Sequence, residues 1–279
     1  MAPLTATQEA RYARDGFLAP FVVMPEAEAG RLLAKLEAVE RDEGGRLSVT
    51  TNQKPHLLFP FLADAVRDAR VLDAVASVLG ADILCWGAGF FTKNPGDGKR
   101  ITWHQDSTYW GLSAPDICTA WVALTPSTPE SGCMRVMPGT HTTDQLPHRD
   151  TFAADNLLSR GQEVAVDVDE RQAVDIVLRP GEMSLHHVRL IHGSEPNRSG
   201  HRRIGLAIRY IPTRLRQTVG DADSATLVRG VDRFGNFRLE PRPATDRDPT
   251  CAAFHAEMVT RTQAILYAGA DRTTATGGG

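Results

Sequence analysis

The periodicity of this 279-residue chain changes character at Asp82. Three earlier segments carry helical spacing. Thr7 to Asp15 ends at Gly16. Pro25 to Glu43 sets Leu32, Leu33, Leu36 and Val39 at helical intervals, with proline in the first turn, and stops at Gly44 and Gly45. Phe61 to Leu79 stops at Gly80. From residue 83 onward the pattern becomes short β-type runs, at 83–93, 100–108, 117–125, 132–137, 163–168, 174–178, 183–191 and 202–212, separated by Gly, Pro and Asn. Helices followed by about eight short strands predict an α+β fold with a β-sandwich or barrel core.

The run 202–212 indicates which way the sheet faces. Ile204, Leu206, Ile208 and Tyr210 share one side, and Arg203, Gly205, Ala207 and Arg209 share the other. An apolar outer face must be covered, and the N-terminal helices are available to cover it. The inner face then holds two arginines separated by small residues, with room for an acid. The alternative is a half-exposed strand whose arginines are solvated. For Arg209, either an acidic or phosphorylated ligand or a structural ion pair accounts for its place. Residues 138–162 are polar and aperiodic, as a lid over a barrel mouth would be. The end of the chain, Thr273 to Gly279, is expected to be disordered. One domain over 1–279 is expected, with helices over about 5–80, a core over about 82–212 and an extension over 213–279.

Composition removes several function classes. Net charge is −3 without a basic cluster, so neither nucleic acid nor an anionic membrane is an expected partner. Cys85, Cys118, Cys133 and Cys251 have no CxxC spacing, which indicates neither a zinc knuckle nor a disulfide framework. No run approaches the roughly eighteen apolar residues of a membrane span, and no secretory signal is visible at the start. A reducing cytoplasm is the expected compartment, with a small molecule as substrate. Four lysines against 27 arginines read as a high-GC coding bias.

Chemistry concentrates in Thr102 to Trp110. His104 and Asp106 are two residues apart, so on a strand they project from one face. Two imidazoles and a carboxylate on one face of a metal, with three positions open, suit non-haem Fe(II) oxygenases. A second HxD, His148 and Asp150, follows Pro147 in a polar stretch and is expected to be a solvated loop pair. His186, His187, His192 and His201 compete to supply the distal imidazole. His192 ends an apolar run at a turn, which suits a ligand at a barrel mouth, and pattern alone leaves His186 open. Arg203 returns to about the height of His192, where a bidentate contact to a carboxylate is possible. Ser194 offers a hydroxyl to the same group.

The chain resembles the phytanoyl-CoA dioxygenase family of Fe(II)/2-oxoglutarate oxygenases, relatives of ectoine hydroxylase. The matching pieces are 12–18, Trp103 to Asp106, Thr119 to Leu124, Gly132 to His141, and His192 to Ser194 with Arg203, in the family's order. The resemblance implies a double-stranded β-helix (jelly-roll, cupin-like) core with the N-terminal helices on one sheet. It implies His104, Asp106 and His192 as iron ligands, with 2-oxoglutarate and O₂ as co-substrates. It also implies Arg203 and Ser194 at the distal carboxylate of 2-oxoglutarate, and Gln105 and Trp121 lining that pocket. The implied chemistry oxidises an unactivated C–H bond while 2-oxoglutarate becomes succinate and CO₂. Halogenating relatives lack the carboxylate that Asp106 supplies, so oxygenation, cyclisation or desaturation is expected. Tailoring of a secondary metabolite, as in antibiotic biosynthesis, is the preferred role; hydroxylation of an amino acid or acyl thioester is the alternative. A zinc hydrolase and a non-catalytic jelly-roll binding protein are the readings from other classes.

Overall fold

A computed structural model describes residues 3–220, 222–268 and 270. The elements in chain order are α1 (Ala6–Asp15), β1 (Phe17–Val22), α2 (Glu26–Asp42), α3 (Val49–Asn52), α4 (Pro60–Ala65), α5 (Ala69–Leu79), β2 (Ile83–Lys93), β3 (Ile101–His104), β4 (Cys118–Ala123) and β5 (Met134–Val136). They continue with β6 (His148–Asp150), β7 (Gln162–Val164), β8 (Val174–Ile176), β9 (Glu182–His187), β10 (His192–Ser194), β11 (Arg203–Pro212), β12 (Ser224–Arg229), β13 (Arg238–Leu239) and α6 (Pro249–Leu266).

The strands make the two sheets of a double-stranded β-helix. The major sheet runs β1-β9-β4-β11-β2-β12-β13, the minor sheet β3-β10-β5-β8, and β6 pairs with β7. Phe17, Trp121, Ala123 and Ala207 of the major sheet pack with Met134, Val136 and Ile176 of the minor sheet, forming the core between them. The outer face of the major sheet is covered as its alternation requires. Ile204, Leu206, Ile208 and Tyr210 share one buried cluster with Leu36, Leu62, Val71, Leu72 and Val75 of the helices. Each such side chain contributes roughly 1.5–3 kcal/mol by leaving water.

Several local expectations change. The segment 61–79 is two helices, because the Asp68 side chain accepts from the Arg70 N–H at 2.8 Å and starts α5 anew. The buried Tyr210 hydroxyl takes the Val66 carbonyl at the break, at 3.0 Å. No strand is expected from sequence before residue 83, yet β1 forms at the sheet edge, where its Pro20 is tolerated. The segment 138–162 contains β6, whose partner β7 begins at its end, and its Leu158 reaches the central cavity. Beyond residue 212, β12 and β13 extend the major sheet. Residues 273–279, expected to be disordered, lie outside the described residues.

A buried ionic cluster ties this C-terminal part to the rest. The Lys54 ammonium donates to the Trp86 carbonyl, the Ser224 carbonyl and the Glu240 carboxylate, each at 2.7 Å. The other Glu240 oxygen accepts from Thr226 at 2.6 Å and lies 3.0 Å from His56 Nε2. Burial opposes its charge, but Lys54 and His56 hold the Glu240 carboxyl well below the usual range. Sequence offered no signal for this cluster, since its members lie up to 186 residues apart.

Candidate metal centre and its cavity

His104 closes β3 and His192 opens β10, and the two are register partners across the minor sheet. Their ring centroids are 4.1 Å apart. Asp106 lies past the end of β3, at the first residue of a 3₁₀ turn over Asp106–Tyr109, so strand alternation is not what turns it inward. Its N–H donates to the Val188 carbonyl at 3.0 Å, which fixes the turn against the loop that leads to His192. The Asp106 Oδ1 atom is 3.3 Å from His104 Nε2 and 3.9 Å from His192 Nε2. Ligand atoms of all three lie within 4.8 Å of one another, close enough to hold one metal ion.

The protonation states suit ligation. His104 Nδ1 lies 2.9 Å from the Thr102 carbonyl, and His192 Nδ1 lies 2.9 Å from the Leu190 carbonyl. Each carbonyl can only accept, so Nδ1 carries a proton and Nε2 is the ring atom left to face a metal. Burial, with His104 beside it, pushes His192 down to about 3, so its ring is neutral. Burial opposes the charge of Asp106, but His192 and His104 hold its carboxyl well below the ordinary range. A neutral His192 imidazole and an ionised Asp106 carboxylate are forms that a divalent metal takes.

The second HxD lies behind this site. His148 and Asp150 form β6 and are not a solvated loop. His148 Nε2 accepts the Gln105 N–H at 2.9 Å. Asp150 accepts from the Tyr109 hydroxyl at 2.6 Å and from Arg160 Nε at 2.8 Å. Gln105 also departs from expectation, because it does not line the cavity. Its amide donates to the Arg189 carbonyl at 2.8 Å and accepts from Leu146 N–H at 2.8 Å and Gln145 at 3.0 Å. With His104 facing inward, its neighbour faces outward and holds the ligand segment against the 145–148 stretch. His187 is no ligand either: its Nδ1 accepts the Arg189 N–H at 3.1 Å. His201 is exposed.

The three converged side chains open onto a solvent-open cleft of about 460 Å³ between the sheets. Arg203 is 2% exposed and lines it, and its Nε and Nη2 atoms have no hydrogen-bond partner. A buried guanidinium with unused donors is costly unless a ligand engages it. Trp121 lies 5.2 Å from this guanidinium, over the strand at Gly205. A Cβ at Gly205 would stand 2.0 Å from the indole, so only glycine admits the ring. Ser194 lines the cleft too, and its hydroxyl accepts from the fully buried Lys93 ammonium at 2.6 Å. Lys93 is the register partner of Arg203 and was not singled out from sequence. Its signal was there: a lysine in phase with Gly87, Gly89 and Phe91 on an otherwise apolar strand.

A phytanoyl-CoA dioxygenase (PhyH) family model matches residues 12–205, which is most of the chain and spans His104, Asp106, His192 and Arg203. The chain belongs to the phytanoyl-CoA dioxygenase family. Among solved structures of similar fold, the non-heme monooxygenase ThoJ is 37% identical, covering 94% of this chain and 98% of its own, with TM-score 0.84. A structure of CytC3 with Fe(II) and alpha-ketoglutarate is 26% identical, covering 88% and 96%, with TM-score 0.66. A protein of Stutzerimonas stutzeri named probable alpha-ketoglutarate-dependent hypophosphite dioxygenase is 30% identical over 161 residues, 57% of this chain and 55% of that one. The chain spans about half the length of several curated family members it matches.

Proposed function

We propose that this member of the phytanoyl-CoA dioxygenase family is an Fe(II)- and 2-oxoglutarate-dependent oxygenase that oxidises an unactivated C–H bond of a small molecule. The observation that carries this reading is the buried, unpartnered guanidinium of Arg203 in the same cleft as a His-Asp-His ligand set. A zinc hydrolase has no use for such a cation behind its metal, and a binding protein has none for three converged ligands in metal-binding form. CytC3, similar over most of this chain, is known with both Fe(II) and alpha-ketoglutarate bound. Similarity to ThoJ over nearly the full length supports an oxygenase rather than a hydrolase. Tailoring of a secondary metabolite is the role we favour.

Each residue then has a physical task. His104, Asp106 and His192 would hold the metal, beside the cleft that takes the co-substrates. When bound there, iron and 2-oxoglutarate would supply the oxidising power, with O₂ reduced and the 2-oxo acid converted to succinate and CO₂. Arg203 pairs with the far carboxylate of the 2-oxo acid, and Trp121 walls that end of the cleft. Because Lys93 donates to the Ser194 oxygen, the Ser194 proton is left to point at the carboxylate. The apolar walls at Phe91, Ile101 and Met134 exclude water from the reacting carbon.

Consumption of O₂ with succinate formation in equal amounts, with Fe(II) and not Zn(II), is the expected result. Hydrolytic turnover supported by Zn(II) would sink this reading. Arg203→Ala removes a charge-assisted contact of about 1.5–3 kcal/mol, so 2-oxoglutarate affinity is expected to fall roughly ten- to 150-fold. Metal affinity, measured separately by titration, stays close to wild type. The pH dependence has a definite sign. Burial, with Arg203 beside it, pushes Lys93 down to about 7. An anion seated on Arg203 favours the charged lysine, so binding takes up a proton. Calorimetric 2-oxoglutarate affinity is therefore full below about pH 7 and weakens as pH rises above it. A profile that strengthens with rising pH contradicts this assignment.

A further inference from the structure

The inner face of the major sheet carries a second row of unused polar groups, beside the metal ligands and away from Arg203. His186 on β9, Thr119 on β4 and Arg209 on β11 are consecutive register partners across three adjacent strands. All three line the cleft. Thr119 and His186 are 2% and 3% exposed, and Thr119 Oγ1 and His186 Nδ1 have no hydrogen-bond partner. His186 is not one of the converged ligands, although its Nε2 lies 3.9 Å from Asp106 Oδ2. The guanidinium of Arg209 sits 5.4 Å from the Trp110 ring and 5.9 Å from Phe91. Aromatic faces fix the position of a cation without using its N–H donors. Among the described residues no carboxylate lies within ion-pair distance of Arg209, although Asp106 acts on it through space.

We infer that Arg209, Thr119 and His186 form the head-group subsite for a carboxylate of the organic substrate. This inference rests on the assignment of Arg203 to 2-oxoglutarate. Arg203 and Arg209 are six residues apart on one strand, which at 3.3 Å per residue is about 20 Å. A five-carbon diacid with one carboxylate on Arg203 and the other at the metal has none left for Arg209, so Arg209 serves a different anion. A guanidinium fork and one hydroxyl in line match the two coplanar oxygens of a carboxylate. One positive charge balances a monoanion, and the negative Asp106 nearby disfavours the second charge of a phosphate dianion. Because His186 lies against Asp106, the head group lies close to the metal. The carbon oxidised is therefore near the carboxylate and not at the far end of a long chain.

Acetate is the smallest probe of this subsite, with acetamide as its neutral counterpart. Calorimetric titration is done on protein loaded with Zn(II) and saturating 2-oxoglutarate, which fills the Arg203 end without turnover. The expected result is saturable acetate binding in the millimolar range, at least tenfold tighter than acetamide. Arg209→Gln loses that preference, and Thr119→Val, which keeps the side-chain shape, weakens acetate several-fold. Both variants keep wild-type 2-oxoglutarate affinity. On metal-free Arg203→Gln protein acetate still binds, so the subsite is also read without the co-substrate. Equal binding of acetate and acetamide, or acetate preference surviving Arg209→Gln, overturns the inference. So does phosphate binding in preference to acetate, or a loss of 2-oxoglutarate affinity in Arg209→Gln. Failure of wild-type protein to bind 2-oxoglutarate, with acetate binding intact, instead removes the co-substrate reading of Arg203.

Discussion

Alanine at His104, Asp106 or His192 is expected to abolish 2-oxoglutarate-dependent succinate formation and to weaken metal binding by orders of magnitude. The three side chains supply every protein atom in the converged ligand set, so each substitution leaves too few donors to hold iron against water. Metal content after dialysis, measured alongside succinate, separates loss of metal from loss of fold. His148→Ala gives a smaller effect. It removes the acceptor for the Gln105 N–H, between His104 and Asp106, and loosens the ligand segment without removing a ligand. A loss of 10–100-fold is the usual scale for groups that orient metal ligands. If His148→Ala lost metal as completely as His104→Ala, the assignment of the HxD would have to be revised. Wild-type turnover in concentrated chloride is expected to yield only oxygenated, cyclised or desaturated product, because Asp106 would supply the ligand that a halide would have to replace. A chlorinated product would contradict Asp106 as a ligand.

Glu240→Ala is expected to destabilise the fold more than any single change on the surface. Truncation leaves the Lys54 ammonium, 5% exposed, without its carboxylate in a dry interior. Breaking a buried pair from one side costs about 3–5 kcal/mol. In a domain of this size each kcal/mol moves the melting temperature by roughly 2–4 °C, so a drop of about 10 °C is expected by calorimetry. The pH dependence has the sign of a depressed carboxyl: its stabilisation is present above the unfolded value of about 4.3 and lost as pH falls below it. A Glu240→Ala protein melting within a degree of wild type would show that water reaches the site.

Legibility in the sequence followed the reach of the interaction. The alternation in 203–210 gave both the helix-covered outer face and the inward arginines, because strand period is a local property. His104 and Asp106 were found two residues apart, although the geometry that joins them is a 3₁₀ turn and not a continued strand. Gln105 was misplaced, since its direction depends on the 145–148 stretch packed against it. Likewise His148 reads as loop by composition, and only its pairing with Val164 makes it strand. Lys93 and the Lys54–Glu240 pair depend on partners about 100 and 186 residues away, beyond anything a window of sequence can weigh.

The site divides its labour between two sheets that are fastened differently. His104 and His192 lie on short strands of the minor sheet, whereas Arg203 and Arg209 lie on one ten-residue strand at the centre of the major sheet. A pleated strand is a ruler of fixed graduation, so the distance between the two cations is not free to drift. Lineages that adapt this scaffold to bulkier molecules must therefore remodel what faces the ruler. The 151–161 loop touches the cleft through Leu158, but its Asn156 donates to Thr102 at 2.7 Å and its Arg160 to Asp150, so remodelling there has to spare those two contacts to keep the His104–Asp106 segment in place. Selection can then change the guest while the clockwork that oxidises it stays the same.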